Sequence, residues 1–268
     1  MKWIFLRGLG RSPIHWGDFD SIWKQHFPQD EIIHWTLPGC GSRYKESSPL
    51  NLQSAVADLR EFLKNDPDHE SHPKYNVLAL SLGGMIAAEW LQQAPHEIAS
   101  MVFINSSSKG HSPIFDRIKP NAILTLIQSG QKKSSYEREL NILRLTTNTT
   151  PHLKKWAQVF AEDFDKNPVS PLNIGRQLVA ASRTSWPLKD PSPEIPKLFL
   201  TAVKDRMVSY HCSKKISESW SCPLEIHPTA GHELLLDAPD WCIEKISKHL
   251  RPQFEESQNG NSSKSHEV

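Results

Sequence analysis

The sequence predicts an α/β fold, a mostly parallel sheet of about six strands flanked by helices and carrying a helical insertion. Three observations predict it. Short β-rich runs alternate with segments of helical periodicity, the pattern of parallel strands joined by crossover helices. Runs such as residues 76–80 and 100–104 are almost wholly apolar instead of alternating. Strands of that kind are buried on both faces, as when helices cover a parallel sheet. Between about Ser106 and Pro187 the alternation stops, and only helical patterns punctuated by Pro120, Pro151, Pro168 and Pro171 remain.

Residues 2–6 read as the first strand; the run is too short for a signal-peptide core and meets a glycine turn at Gly8. Trp16, Phe19, Ile22 and Trp23 recur at helical spacing and predict a helix over 16–26. A strand over 31–36 ends at the turn Pro38-Gly39-Cys40-Gly41. Leu52, Val56, Leu59 and Phe62 predict a helix over 51–64. The strand 76–80 runs directly into a helix over 83–93, and 100–104 is the next strand. The insertion holds helical patterns over 122–128, 136–145 and 153–160, and a helix over 173–182 that packs back on the sheet. Strand 197–201, helix 210–220, strand 224–227 and helix 240–250 complete the core. The chain therefore divides into a first core part (1–105), the insertion with its return helix (106–187), a second core part (188–250) and a tail (251–268). The tail is polar and charged beyond Phe254, cannot offset its ordering entropy by burial, and is predicted disordered.

Composition excludes several classes of function. A chain of 268 residues can bury roughly 70–75% of its unfolded surface, so it needs neither disulfide nor metal to fold. Its 31 basic and 30 acidic side chains give a net charge of +1, unlike a nucleic-acid-binding surface. No apolar run reaches the ~18 residues of a membrane span. The cysteines Cys40, Cys212, Cys222 and Cys242 lack CxxC spacing and read as reduced thiols of a cytoplasmic protein. The histidines lack HxH and HExxH spacing, no GxxxxGK[ST] run is present, and Gly8-Leu9-Gly10 is followed by Pro13 where a dinucleotide loop needs glycine. No metal and no cofactor is expected.

The chemistry-bearing segment is Val77-Leu78-Ala79-Leu80-Ser81-Leu82-Gly83-Gly84. A buried strand enters a serine and leaves it as a helix. Such a corner strains the serine backbone and requires small residues two before and two after it, here Ala79 and Gly83. The helix N-terminus then favours developing negative charge, with the Leu82 N–H as one donor. The bland alternative is a serine that merely caps a helix. A serine nucleophile needs a base. His232, in the turn Ala230-Gly231-His232 after the last strand, is the candidate, and His227 at the strand end is its competitor. The other eleven histidines are expected to face solvent. The acid orienting the base is expected after the preceding strand, at Asp205, with Asp237 and Asp240 as weaker candidates. The order Ser…Asp…His is that of a strand-borne hydrolytic triad. The loop Arg7-Gly8-Leu9-Gly10 would supply a second oxyanion donor from the Leu9 N–H, with Gly8 and Gly10 letting the backbone approach.

These motifs, in this order, resemble the α/β-hydrolase superfamily over 3–250, and Leu37-Pro38-Gly39-Cys40-Gly41-Ser42 is similar to its loop after an early strand. The closest likeness is to small capped serine esterases, including those that demethylate a pimeloyl ester on acyl carrier protein. The resemblance implies hydrolysis of a carboxylic ester through an acyl-enzyme on Ser81. The substrate would be a small-molecule ester, an acyl-carrier-bound ester among them. Arg138, Arg144, Arg176 and Arg183 lie where such caps meet the carrier; the bland alternative is a charged helix face. Serine argues against relatives that use aspartate at this corner. Departures are Ala79 and Arg7, where the family usually has glycine and often has histidine, and the absence of two leading strands common in larger members. A thioester, lactone or carbon–carbon bond would suit the same residues, and a non-catalytic binding protein remains an alternative. The insertion's Ile114, Phe115, Ile123, Leu126, Trp156 and Phe160 would either pack the cap on the sheet or meet an acyl chain; packing is the favoured reading.

Overall fold

The computed structural model describes residues 1–69 and 74–251. The predicted tail, apart from Arg251, lies outside the described residues. Six strands form one sheet: β1 (Lys2–Leu6), β2 (Glu31–Trp35), β3 (Tyr75–Leu80), β4 (Ile98–Ile104), β5 (Lys197–Ala202) and β6 (Leu224–His227). Their spatial order is β2-β1-β3-β4-β5-β6, and every neighbouring pair is parallel. The order reverses direction at β1 and β3, so the ends of these two strands open onto the crevice where α/β sheets bind ligands.

Period-2 geometry sorts the strand side chains into two cores. Ile4, Leu6, Val77, Ala79, Met101, Phe103 and Phe199 face one way, against α2 (Leu52–Leu63), α3 (Leu82–Gln93) and α9 (Tyr210–Trp220). Trp3, Phe5, Leu78, Leu80, Val102, Ile104, Leu198 and Leu200 face the other, against α1 (Phe19–His26) and α11 (Pro239–Leu250). All residues of β3 and β5 are buried, the polar Asn76, Lys197 and Thr201 included. Asn51 caps α2 by accepting from the Ser54 N–H at 2.8 Å, which satisfies one of the orphan amides of the first turn.

Between β4 and β5 stand the helices of the insertion: α4 (Ile114–Arg117), α5 (Pro120–Gly130), α6 (Ser135–Thr146), α7 (Leu153–Lys166) and α8 (Pro171–Arg183). α6 and α7 share a small core of their own around Leu143, Trp156, Ala157 and Phe160. The return helix α8 reaches the main core through Ala180 and locks to the β2 loop by polar joints. There the Asn173 side chain accepts from the Ser48 N–H at 2.9 Å and donates to the Glu46 carbonyl at 2.9 Å. A four-residue helix, α10 (Leu234–Asp237), precedes α11.

Two expectations need correction. The helix predicted over 16–26 is interrupted: a single 3₁₀ turn (Pro13–Trp16) ends at Gly17, whose φ of 63° stops it, and α1 begins only at Phe19. A β-carbon on Gly17 would also lie 2.6 Å from Leu236. The packing predicted for the insertion's apolar residues holds for Trp156 and Phe160, which are buried, but not for Ile114, Phe115 and Ile123, which are exposed. Among the described residues no helix is long and apolar enough to cross a membrane, and the four cysteines are unpaired.

Lys197 is the one charged residue of the wholly buried β5. Its ammonium lies 2.9 Å from the buried Asp190 carboxylate and donates to the carbonyls of Ser192 and Ile195. Removing one partner of a buried ion pair strands the other charge, at about 3 kcal/mol or more. Lys197→Met is therefore expected to lower unfolding stability by about that much in urea titrations, and Lys197→Met with Asp190→Asn to recover part of the loss.

Candidate active site

The hydrogen-bond ladder of the sheet continues one residue past β3, where the Ser81 N–H donates to Ile104 O at 2.8 Å. The chain then turns at Ser81 itself, with φ 57° and ψ −115°, and α3 starts at the next residue. A non-glycine residue in that region costs of order 1–3 kcal/mol and persists only where surrounding structure fixes it. Here the fixing contacts are tight. A β-carbon on Gly83 would lie 2.2 Å from Leu6 O and 2.8 Å from Arg7 O, so only glycine lets α3 begin against the end of β1. One on Gly8 would lie 3.3 Å from the Ser81 β-carbon. The glycine loop thus abuts the serine. Gly10 has φ 62°, and its N–H donates to the Gln177 side chain of α8 at 2.8 Å. The amides of Leu9 and Leu82 make no hydrogen bond among the described residues.

Asp205 and His232 meet, though they lie 27 positions apart in the chain. His232 Nδ1 is 2.7 Å from Asp205 Oδ2, and both side chains are buried. The other Asp205 oxygen accepts from the N–H groups of Met207 (2.7 Å) and Val208 (3.0 Å), which fixes the carboxylate. His232 Nε2 and the Ser81 hydroxyl make no hydrogen bond among the described residues.

The competing candidates have other occupations. His227 Nδ1 accepts from the Ala230 N–H at 3.0 Å and shapes the turn before His232. Asp237 accepts from the amides of Gly231 (2.7 Å), Asn148 (2.8 Å) and Thr149 (3.0 Å), clamping the histidine loop to the cap. Asp240 is exposed near His26. The expectation that the remaining histidines face solvent fails at His15, which is buried. Burial first, then the neighbouring Arg11 and Arg7, hold its pKa well below the usual imidazole value.

Three participants escaped the sequence reading. Glu233, directly after His232, pairs with Arg7 at 2.7 Å, both buried, and Arg7 lies over the Trp16 ring at 4.6 Å. Burial is the largest influence on His232 and disfavours its charged form. The Asp205 and Glu233 carboxylates outweigh it and hold its pKa above the ordinary value of 6.5, with Arg7 pulling the other way. Burial likewise opposes ionisation of Glu233, but Arg7, Arg11 and His232 keep its pKa low. Asn105, in the left-handed region at φ 46°, follows β4. Its amide donates to His232 O at 2.8 Å while its oxygen accepts from the Thr201 hydroxyl at 2.9 Å and the Ala202 N–H at 3.2 Å. It thereby ties the loops bearing Asp205 and His232 to one strand end. Ser106 donates to Ser81 O at 3.0 Å and braces the corner from behind. A polar residue directly after an apolar strand was the available signal for Asn105; no local signal marked Glu233 as Arg7's partner.

The four insertion arginines differ in their engagement. Arg138 is bound to Glu139 and lies over Phe164, Arg176 donates to Ser48 O, and Arg144 and Arg183 are exposed. An open cleft of about 690 Å³ lies beside the Asp205 loop, between Lys119, Asn121, Arg144 and Arg206; neither Ser81 nor His232 lines it.

Fold and site together define an α/β chain with a serine at a strained strand-to-helix corner and a carboxylate–histidine pair on neighbouring strand ends. The profile of the alpha/beta hydrolase family matches residues 3–245, and the chain belongs to that family. No curated protein matches it. Among solved structures it is similar to a 2-hydroxy-6-oxo-6-phenylhexa-2,4-dienoate hydrolase from a Rhodococcus species, at TM-score 0.72 and 16% identity over 93% of this chain and 90% of that one. It is also similar to a structure from work on carboxylesterases of Nitrososphaera gargenis (0.71, 16%, 95% and 91%). A third is a lipase-esterase related protein from Clostridium acetobutylicum (0.69, 17%, 93% and 94%). At these identities the likeness is one of fold.

Gly83 and Gly84 separate backbone from side-chain crowding. At Gly84 a β-carbon would meet the Ser106 side chain, its hydroxyl at 1.9 Å and its β-carbon at 2.9 Å, whereas at Gly83 it meets the backbone at the end of β1. Overpacking costs about 1–3 kcal/mol and more where backbone must move. Gly83→Ala is expected to lower the melting temperature more than Gly84→Ala; the reverse order in thermal denaturation would refute this account of the corner.

Proposed function

We propose that this protein hydrolyses a carboxylic ester by acyl transfer through Ser81. The observation that carries the reading is the strained corner at Ser81 lying against the Gly8 loop, within a fold that also pairs His232 with Asp205. In the proposed reaction His232 Nε2 takes the hydroxyl proton as Ser81 Oγ attacks the ester carbonyl. Asp205 holds the Nδ1–H tautomer and stabilises the imidazolium. The Leu82 and Leu9 amides receive the oxyanion at the N-terminus of α3. The tetrahedral intermediate collapses as His232 protonates the departing alcohol. Water, deprotonated by His232, then attacks the acyl-enzyme, and collapse frees the acid and Ser81. No cofactor enters these steps.

The related folds include an enzyme named for a dienoate and one from carboxylesterase work, so the core alone does not select the substrate. The insertion is where selection would lie. An ester on an acyl carrier is one member of the proposed class.

A fluorophosphonate probe tests the reading. Wild-type protein should label and Ser81→Ala should not, with hydrolysis of p-nitrophenyl acyl esters falling about 10⁴–10⁶-fold in Ser81→Ala or His232→Ala. Folded wild-type protein that neither labels nor turns over esters would sink it. Chain-length dependence, followed by an acyl-carrier methyl ester, would place the substrate within the class.

The pH profile tests the role of Glu233. The base must be neutral to act, so a His232 pKa held above 6.5 sets the acid limb of kcat/KM above that value. Glu233→Gln removes a charge favouring the imidazolium and leaves Arg7 opposing it. That loss moves the limb to lower pH. A limb unmoved in Glu233→Gln would exclude this coupling.

A further inference from the structure

α5 is inverted. Its buried residues are the small Ala122 and Ser129, one face of the helix at i and i+7. That face sits on α6, where the Asn141 amide donates to the Ser129 hydroxyl at 3.3 Å. Ile123, Leu124 and Ile127 point the other way, with Leu124 58% and Ile127 55% exposed. The preceding α4 adds Ile114 and Phe115, the latter 65% exposed. Five large apolar side chains within fourteen positions therefore meet solvent. Single exposed apolar residues are ordinary, but Ile123, Leu124 and Ile127 share one face of α5, as the residues of a contact surface do.

The charge around this face states what it would contact. Residues 113–133 carry four basic side chains (Arg117, Lys119, Lys132 and Lys133) and one acid, Asp116. Arg117 is buried and donates to Ala181 O at 2.8 Å, anchoring α4 to α8. Lys119, at the start of α5, is half-buried and donates to Asp205 O, whereas Lys132 and Lys133 are exposed just past the end of the helix. Exposed Arg144 flanks the adjoining cleft. An apolar helix face with a pair of exposed lysines at its end matches a layer whose interior is apolar and whose surface is anionic. A protein partner of acidic surface would meet the lysines but leave the apolar face to be matched separately.

We infer that the α4–α5 face of the cap docks on an anionic lipid surface, lying in the headgroup plane without crossing it. Apolar side chains enter the acyl boundary while the lysines meet headgroup phosphates. The attachment is peripheral and reversible, since one short helix supplies it. The inference does not depend on the proposed esterase activity, because the contact forms whether or not Ser81 reacts.

Vesicle co-sedimentation of the full chain tests it. The protein should pellet with vesicles of phosphatidylcholine and phosphatidylglycerol, far less with phosphatidylcholine alone, and less as salt is raised. Leu124→Ser with Ile127→Ser should abolish pelleting. Lys132→Ser with Lys133→Ser should weaken it roughly thirtyfold. All four positions are exposed, so the variants should keep the wild-type melting temperature. Failure of wild-type protein to pellet with anionic vesicles would overturn the inference, as would unchanged binding by the folded apolar variant. A dimer in sedimentation velocity that the apolar variant dissolves, in protein that ignores vesicles, would assign the face to a second copy instead.

Discussion

The site rests on one steric constraint: the chain must reverse at Ser81 while β1 passes close behind it. The serine takes a backbone conformation that L-residues disfavour, and the strain is held from three sides. The Ser81 amide is tied to β4, its carbonyl is held by Ser106, and the α3 start lies against Leu6 and Arg7. Buried strands on either side cannot yield without opening the core, because protein interiors are packed like solids. The same closeness that demands glycine at position 83 brings the Leu9 loop to the serine. Strain and proximity have one cause.

A second constraint is electrostatic. Arg7, Glu233, Asp205 and His232 are all buried within one small region. An isolated charge there would be prohibitive, so each must be compensated or neutral. Asp205 has two backbone amides and the imidazole. Glu233 has Arg7, and Arg7 also has the face of Trp16. The pair contributes two opposing fields at His232, carboxylate against guanidinium, and the carboxylates prevail. A buried Arg7 brings with it a requirement for an acid nearby. Glu233 meets that requirement from 226 positions further along the chain.

Much of the fold was legible because its signals are local. The apolar runs of β3 and β5 report burial on both faces, and the Ala79–Gly83 pattern reports crowding at the corner. Asp205 and His232 could be proposed from their places after consecutive strands, since topology delivers strand ends to one edge. What escaped depends on tertiary partners. Periodicity ran through Gly17 because Trp16 and Phe19 are both buried on one core, although the backbone between them is not helical. His15 is ordinary in sequence and buried in the structure beneath the Arg11 loop and Phe160. The Arg7–Glu233 pair joins residues whose neighbourhood only folding creates. Composition also misjudged α5: its apolar residues suggested packing, and the structure turns them outward.

Several hydrogen bonds fasten the insertion to the core beside its apolar contacts. Asn173 grips the β2 loop, Gln177 holds Gly10, Lys119 donates to Asp205 O, and Asp237 accepts from the α6–α7 connection. Each joint ends on a loop that bears a proposed reactive residue or lies beside one. Polar joints fix position at discrete points, whereas an apolar interface would consume the helices' hydrophobic faces. α6 and α7 pack on each other, and Trp156 and Phe160 also reach Leu236 and His15 of the core. α5 seats itself on small residues and keeps its large ones outside. The cap can therefore hold the reactive loops in register through one set of contacts while presenting an unrelated surface through another. A change confined to Ile123, Leu124 and Ile127 should leave the Asp205–His232 geometry intact, because none of the joints passes through that face.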